Sequence, residues 1–115
     1  MAKVRKVEKP WGHEIIWAES ERYLGKILYI KKGHRLSRQY HEKKDETIHV
    51  LEGTLLVELN QGDEMLSFSL SPGKSERITP GLIHRFCATK EDVKLLEVST
   101  PEIDDVVRLE DDYKR

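Results

Sequence analysis

The chain has 115 residues, a formal net charge of −1 and a single cysteine, Cys87. A chain of this length can bury about two-thirds of its unfolded surface, so it can form a core without disulfides or metal, and we expect one domain over residues 1–115. The balanced charge gives no reason to expect nucleic acid or a membrane surface as a partner.

The amino-terminal residues and the cysteine count bear on the cellular compartment. The sequence begins MAKVRKVEKPWG, which is basic but lacks the apolar stretch that a signal peptide requires. The apolar runs elsewhere are too short to span a membrane. The lone cysteine excludes a disulfide within the chain and suits a reducing compartment. We therefore expect a cytoplasmic protein.

The first predicted strand covers residues 22–33. Apolar and polar residues alternate there, which is typical of a strand with one buried face, and Gly33 marks its end. Lys26, Leu28 and Ile30 share one face of this strand. Because two of the three are aliphatic, we expect that face to point inward and to carry Lys26 with it.

Further strand signals follow in the middle of the chain. Residues 46–53 alternate and predict a strand whose inner face begins at Glu46. Residues 54–70 predict a β-hairpin around an Asn-Gln-Gly-Asp turn. Two Pro-Gly pairs mark turns within residues 71–86, and residues 92–100 predict another strand.

The last segment, PEIDDVVRLEDDYKR (101–115), is the one stretch in which a helix could be expected, and its acidity is typical of a surface tail. The many short strands separated by Gly and Pro turns predict an all-β sandwich or barrel.

Four polar residues are candidates for a metal site. Gln39 and His41 are two residues apart and share a strand face, and Glu46 begins the next strand after a polar turn, which can bring the three side chains together. His84 follows a Pro-Gly turn and is a fourth candidate. Two imidazoles, a carboxylate and an amide oxygen suit a divalent ion such as Zn, Mn or Fe. The alternative is ordinary solvated polarity.

The stretch GHRLSRQYHEKKDETIHVLEG (33–53) resembles the first motif of the cupin superfamily, in which a His-x-His pair and a Glu lie between two glycines. The matching residues are Gly33, Gln39, His41, Glu46 and Gly53, with Gln39 where most cupins have His. In the second cupin motif Gly73, Gly81 and His84 fit, whereas Thr79 and Ala88 depart from it. The resemblance implies an all-β, single-domain cupin fold, a double-stranded β-helix or jelly-roll barrel, and supports the four metal ligands.

Other segments narrow the resemblance within the cupins. The Gln-x-His pair, KPWGHE (9–14), residues 36–54 and DVVRLEDDYKR (105–115) are similar to the isomerase (C-terminal) domain of type II phosphomannose isomerases. The resemblance implies a metal-dependent aldose–ketose isomerase that interconverts mannose 6-phosphate and fructose 6-phosphate through an enediol.

The resemblance also suggests residues that would act beside the metal. Lys26 and Glu97 match residues of the isomerase domain and are candidate proton carriers, although Lys26 could instead extend to solvent. Arg85 and Arg108 could bind a sugar phosphate, with ordinary surface arginine as the alternative.

Two other functions stay open at this point. One is a non-catalytic sugar- or ligand-binding cupin, and the other is a metal-dependent dioxygenase, which the amide of Gln39 in place of an imidazole makes less favourable. We expect a small-molecule sugar phosphate as the partner, and a homodimer. Pairing of the amino-terminal segment with a partner's sheet edge is one way in which such a dimer could form.

Overall fold

The computed structural model describes residues 3–115, which form twelve β-strands and no helix. The strands are β1 (Arg5–Lys9), β2 (Gly12–Glu19), β3 (Leu24–Ile30), β4 (His34–Arg35), β5 (Arg38–Tyr40), β6 (Glu46–Glu52), β7 (Leu55–Gln61), β8 (Glu64–Leu70), β9 (Ser75–Ile78), β10 (His84–Ala88), β11 (Val93–Ser99) and β12 (Val107–Glu110). Over this range there is accordingly no helix of the length and hydropathy that a membrane crossing requires.

The strands form two antiparallel sheets. The strand order is β1-β2-β3-β11-β6-β9 in the first sheet and β12-β5-β10-β7-β8 in the second, where β4 also pairs with β10. From β8 to β12 the chain alternates between the sheets, as in a jelly roll. The prediction of an all-β barrel is confirmed. The core between the sheets contains Trp11, Leu28, Ile30, Ile48, Val50, Leu55, Val57, Ile78, Phe86, Ala88, Val93 and Leu95.

The inward faces of β3 and β6 are those that the alternation predicts. The buried residues of these faces are Lys26, Leu28 and Ile30 in β3 and Glu46, Ile48 and Val50 in β6. Each face therefore carries a charged side chain at one end of an otherwise aliphatic row, and both charged groups reach the space between the sheets.

The hairpin is also confirmed. Strands β7 and β8 pair from Leu55 opposite Leu70 to Gln61 opposite Glu64, which leaves a two-residue loop. Gly62 in that loop has a φ of 61°, a conformation that glycine adopts at little cost.

The expectation of a helix in the last segment is wrong. Residues 107–110 form β12, which pairs with β5 and places Arg108 opposite Gln39. A free sheet edge offers backbone hydrogen bonds that a short acidic helix on the surface would not gain, so tertiary pairing decides the conformation of this segment.

The amino-terminal segment pairs within its own chain. Strand β1 joins β2 with Lys9 opposite Gly12, so its hydrogen bonds on that side need no partner chain. Gly12 lies against the carbonyl of Tyr29, where a Cβ atom would collide. This close approach seats Trp11 in the core at 2% exposure, whereas Trp17 remains 40% exposed.

Candidate metal centre and cavity

Three of the candidate ligands converge between the sheets. His41 follows β5, Glu46 begins β6 and His84 begins β10, so each side chain is positioned by a strand end. Each residue offers one ligand atom, and these atoms lie within 4.8 Å of one another. The Nε2 atoms of His41 and His84 are 3.2 and 3.5 Å from Glu46 Oε1, and all three side chains are buried.

The backbone fixes which nitrogen of each imidazole faces this cluster. His41 Nδ1 lies 2.6 Å from the carbonyl of Asp105, and His84 Nδ1 lies 2.9 Å from the carbonyl of Leu82. Since a carbonyl only accepts hydrogen bonds, each Nδ1 carries a proton, and Nε2 is the ring atom that faces the cluster. Two imidazole nitrogens and a carboxylate thus face one another, an arrangement that suits a proton or a metal cation at their centre.

An unpartnered atom supports this fit. His84 Nε2 is buried and has no hydrogen-bond partner within the described part of the chain. Leaving a buried polar atom unsatisfied costs about 1–3 kcal/mol, and coordination of an ion would remove that cost. The donor set of two imidazoles and one carboxylate matches that of first-row divalent metal sites.

The fourth candidate, Gln39, lines the same cavity as the cluster and lies opposite His84 across the β5–β10 pair. Its Oε1 lies 2.6 Å from the hydroxyl of Ser37, which is fully buried. A hydroxyl that donates to the amide oxygen orients it and still leaves a second lone pair for an ion.

Electrostatics keep Glu46 ionised. Burial by itself would raise the pKa of Glu46, but its hydrogen bond to His41, its contact with His84 and the charge of Lys44 hold it well below its ordinary value. Burial lowers the pKa of His41, but its hydrogen bond to Glu46 and the charge of that carboxylate raise the pKa above its ordinary value. The cluster therefore combines a permanent negative charge with imidazoles that attract either a proton or a metal ion.

A chain of buried charges of alternating sign extends from this cluster. Lys44 Nζ lies 3.5 Å from Glu46 Oε2 and 2.9 Å from Glu97 Oε2. Glu97 pairs across the strands with Lys26, whose Nζ lies 3.1 Å from Glu14 Oε1. Burial and the charge of Glu46 raise the pKa of Glu97 to about 7, against the opposing charge of Lys44. Each buried charge thus has a neighbour of opposite sign, as burial requires.

The structure brings most of the predicted site residues to one cavity of about 100 Å³. Lys26 and Glu97 line it together with Gln39, His41 and Glu46. Lys26 is 6% exposed, so the prediction that it faces inward is confirmed and its extension to solvent is excluded. Arg108 lines the same cavity from β12.

Arg85 is not in this cavity. It is 1% exposed, its Nε donates to the carbonyl of Leu36 and its Nη2 donates to the carbonyl of Glu110. These contacts tie β10 to the segment before β5 and to β12. Arg85 is next to His84 on the strand and therefore points to the opposite face. The proposal that it binds a substrate phosphate at the metal is not compatible with this position.

The charged residues that line the cavity without being sequence-based candidates are Lys9, Glu14, Lys44, Asp105 and Arg115. Glu14 could have been found, because it lies on the same face of β2 as the buried Gly12 and Ile16. Lys44 lies in a polar loop, where no period predicts burial.

Asp105 supports the loop that carries the ligands. Its carboxylate accepts hydrogen bonds from the backbone amides of Glu42, Lys43 and Lys44, and its carbonyl faces His41. The closing segment of the chain thus holds the connection between β5 and β6 in the conformation that presents His41 and Glu46.

The sequence matches a protein-family model described as Mannose-6-phosphate isomerase C-terminal over residues 1–111. Xanthan biosynthesis protein XanB of Xanthomonas campestris pv. campestris (strain B100) is 36% identical over 115 residues, which cover 96% of this chain and 24% of XanB. Mannose-1-phosphate guanylyltransferase ManC of Salmonella typhimurium is 36% identical over 117 residues, which cover 96% of this chain and 23% of ManC. The chain thus spans about a quarter of the length of these relatives.

Among solved structures, the capsular polysaccharide assembling protein CapF from Staphylococcus aureus superposes with a TM-score of 0.81 at 17% identity, covering 96% of this chain and 32% of CapF. This likeness shows the fold alone, which is the cupin fold. The family match, which covers nearly the whole sequence, shows that the chain belongs to the mannose-6-phosphate isomerase C-terminal family.

Proposed function

We propose that this domain is a metal-dependent aldose–ketose isomerase of a sugar phosphate, with mannose 6-phosphate and fructose 6-phosphate as the substrate pair. The observation that carries the proposal is the convergence of His41, Glu46 and His84, together with the buried carboxylate of Glu97, which lines the same cavity as His41 and Glu46. Isomerisation between adjacent carbons needs both features: a positive centre for the developing oxyanion and a base for the proton.

The metal would be held by Gln39, His41, Glu46 and His84, and it would supply Lewis-acid stabilisation of negative charge on the sugar oxygens. Glu97 is the proton carrier in this proposal, because it is a cavity carboxylate that is not one of the ligands. It would accept a proton from one carbon of the substrate and return it to the neighbouring carbon. Lys44 contacts both Glu97 and Glu46 and compensates their charges.

Lys26 has a different role in this proposal from that of a base. Its Nζ lies 3.1 Å from Glu14 Oε1, so its amine is already engaged with that carboxylate. We expect Lys26 and Glu14 to hydrogen-bond the hydroxyl groups of the sugar instead.

The test is turnover of hexose 6-phosphates by the purified chain. Protein reconstituted with Zn²⁺, Mn²⁺ or Fe²⁺ is incubated with mannose 6-phosphate, and fructose 6-phosphate is measured by NMR, beside chelator-treated protein and the His84→Ala variant. We expect conversion with at least one of the metals and loss of conversion after chelation or in the variant. Absence of conversion with every metal would refute the isomerase proposal.

A non-catalytic ligand-binding function is the second candidate. The cavity volume of about 100 Å³ does not distinguish it from the isomerase, because it is below the about 300 Å³ or more that is common in pockets for organic ligands, whether these are converted or only bound. Binding of mannose 6-phosphate by calorimetry without conversion would support this candidate over the isomerase.

A further inference from the structure

A short segment passes from one sheet to the other at the end of the barrel that carries the metal cluster. Residues 100–106 connect β11 of the first sheet to β12 of the second. The segment leaves β11 after Ser99, which lies opposite Glu46. It enters β12 at Val107, whose partner on β5 directly precedes His41. The segment therefore runs between the strand ends that supply two of the candidate ligands.

This segment is also a wall of the cavity. Ile103, Asp105 and Val106 line it, and all three residues are half-buried. The cavity measures about 100 Å³, which is roughly the space that three water molecules occupy in the liquid. A hexose phosphate is several times larger, so a wall has to move before the cavity can enclose one.

Residues 100–106 are the wall that can move, because hydrogen bonds hold the segment to the rest of the chain only near its ends. Thr100 exchanges two hydrogen bonds with Asp45, and Asp105 is bonded to the loop between β5 and β6. In the part of the chain that the structure describes, no hydrogen bond joins residues 101–104 to a residue outside the segment. One carboxylate oxygen of Glu102 is buried there without a partner, which is a cost of the closed conformation.

The second attachment of the segment includes a metal ligand. The carbonyl of Asp105 accepts a hydrogen bond of 2.6 Å from His41 Nδ1, and its carboxylate accepts hydrogen bonds from the backbone amides of residues 42–44. Displacement of Asp105 would remove the acceptor that orients the imidazole, so the ligand set is complete only while the segment is closed. An ion bound to His41 would in turn stabilise the closed position of Asp105, because such coupling is reciprocal.

We propose that residues 100–106 form a lid, with Ile103 as the side chain that fills the cavity, which opens to admit a ligand and is held closed by a bound metal ion through Asp105 and His41. This inference rests on the proposed function for the identity of the ligand, a sugar phosphate. The opening itself does not depend on that identity. Loops that close over a substrate in this way remove it from water and are anchored at a few hinge positions.

The test is amide hydrogen exchange by NMR on the full chain in the absence of sugar. The amides of residues 42–44 are protected by one acceptor, the carboxylate of Asp105, and therefore report its displacement. We expect these three amides to exchange with a single free energy of opening that is lower than that of the central strands β3 and β11. Loading with Zn²⁺ should slow their exchange about tenfold or more, since the ion favours the closed state.

The variant Ile103→Ala removes the aliphatic side chain that anchors the lid in the cavity. We expect exchange of the amides of residues 42–44 to become about threefold faster or more, because the closed state then buries less apolar surface. The matched control is Leu109→Ala on the adjacent strand β12, where Leu109 is 49% exposed and does not line the cavity. The control should leave the exchange unchanged.

Amides of residues 42–44 that exchange as slowly as those of β3 and β11 would overturn the lid, because the segment would then open only when the whole chain unfolds. Exchange that Zn²⁺ leaves unchanged would overturn the link to the cluster, and equal effects of the two alanine variants would overturn the role of Ile103. The lid and the proposed function can fail separately. Lid opening without turnover refutes the isomerase alone, whereas turnover without separate opening refutes the lid alone.

Discussion

At the scale of single residues, the chemistry of the cavity depends on which of its atoms can donate a lone pair to an ion or to a proton. His84 Nε2 faces Glu46 and has no hydrogen-bond partner among residues 3–115, while its Nδ1 donates to a backbone carbonyl. Glu97 is the buried carboxylate that is the candidate base, and its ion-pair partner is the ammonium group of Lys44. In the proposed mechanism His84 would bind the metal and Glu97 would transfer the proton, and each residue can be changed alone.

Replacing Glu97 with Gln keeps the shape of the side chain and removes its basicity. We expect the metal content to stay normal and turnover of mannose 6-phosphate to fall by about 10²-fold or more, as losses of a general base do. Metal analysis and NMR turnover measurements on the same preparation check this, with Glu64→Gln on the exposed strand β8 as the control. Unchanged turnover in Glu97→Gln would exclude Glu97 as the proton carrier.

Replacing Lys26 with Met leaves Glu14 buried without its close partner. Removal of one member of a buried ion pair typically costs about 3–5 kcal/mol, so we expect a lower free energy of unfolding in urea. The double variant Lys26→Met, Glu14→Gln should recover much of the loss, since no buried charge is then left without a partner. If the single variant is as stable as the parent, the pair does not contribute to stability in the way that the 3.1 Å distance implies.

At the scale of elements, the closing segment supports the metal ligands from outside the cavity. Asp105 binds three successive amides of the loop between β5 and β6, and β12 extends the second sheet directly after it. The loop would otherwise be a polar turn with exposed amides. Its conformation, and with it the direction of His41, therefore depends on a residue far away in sequence.

We expect Asp105→Ala to weaken metal binding about tenfold, as the loss of residues that orient ligands does. Metal affinity by calorimetry is the measurement. The neighbouring Asp104→Ala is a matched control, because Asp104 is exposed and makes no contact with the loop amides. Equal affinities of the two variants would show that the loop holds its conformation without the carboxylate.

The elements also show what the sequence could predict. The alternation in β3 and β6 predicts their inner faces, because a period of two is a local property of a strand with one buried side. The spacing within the first motif likewise predicts that His41 and Glu46 meet. Lys44 and β12 could not be predicted in this way, because the burial of Lys44 depends on Glu97 from a distant strand and the pairing of β12 depends on the free edge of β5.

At the scale of the whole molecule, the two sheets enclose a row of buried charged side chains, Glu14, Lys26, Lys44, Glu46 and Glu97, beside the hydrophobic core. The core is formed without these side chains. Burying ion pairs in place of apolar side chains is often neutral or destabilising, so such a row is weak support for stability and stronger support for a site. The fold alone does not determine the reaction, since cupins are similar in structure at low sequence identity. The function therefore has to be tested at the cluster itself.

The most direct test of the metal centre is the number of ions that one chain binds. Chelator-treated and dialysed protein is titrated with Mn²⁺ and Zn²⁺, and bound metal is counted by elemental analysis for the parent and for His84→Ala, with circular dichroism to verify the fold. We predict one divalent ion per chain in the parent and a loss of affinity of at least about tenfold in the variant. A folded parent that binds no ion, or a variant that binds as tightly as the parent, would contradict the assignment of His41, Glu46 and His84 as a metal centre.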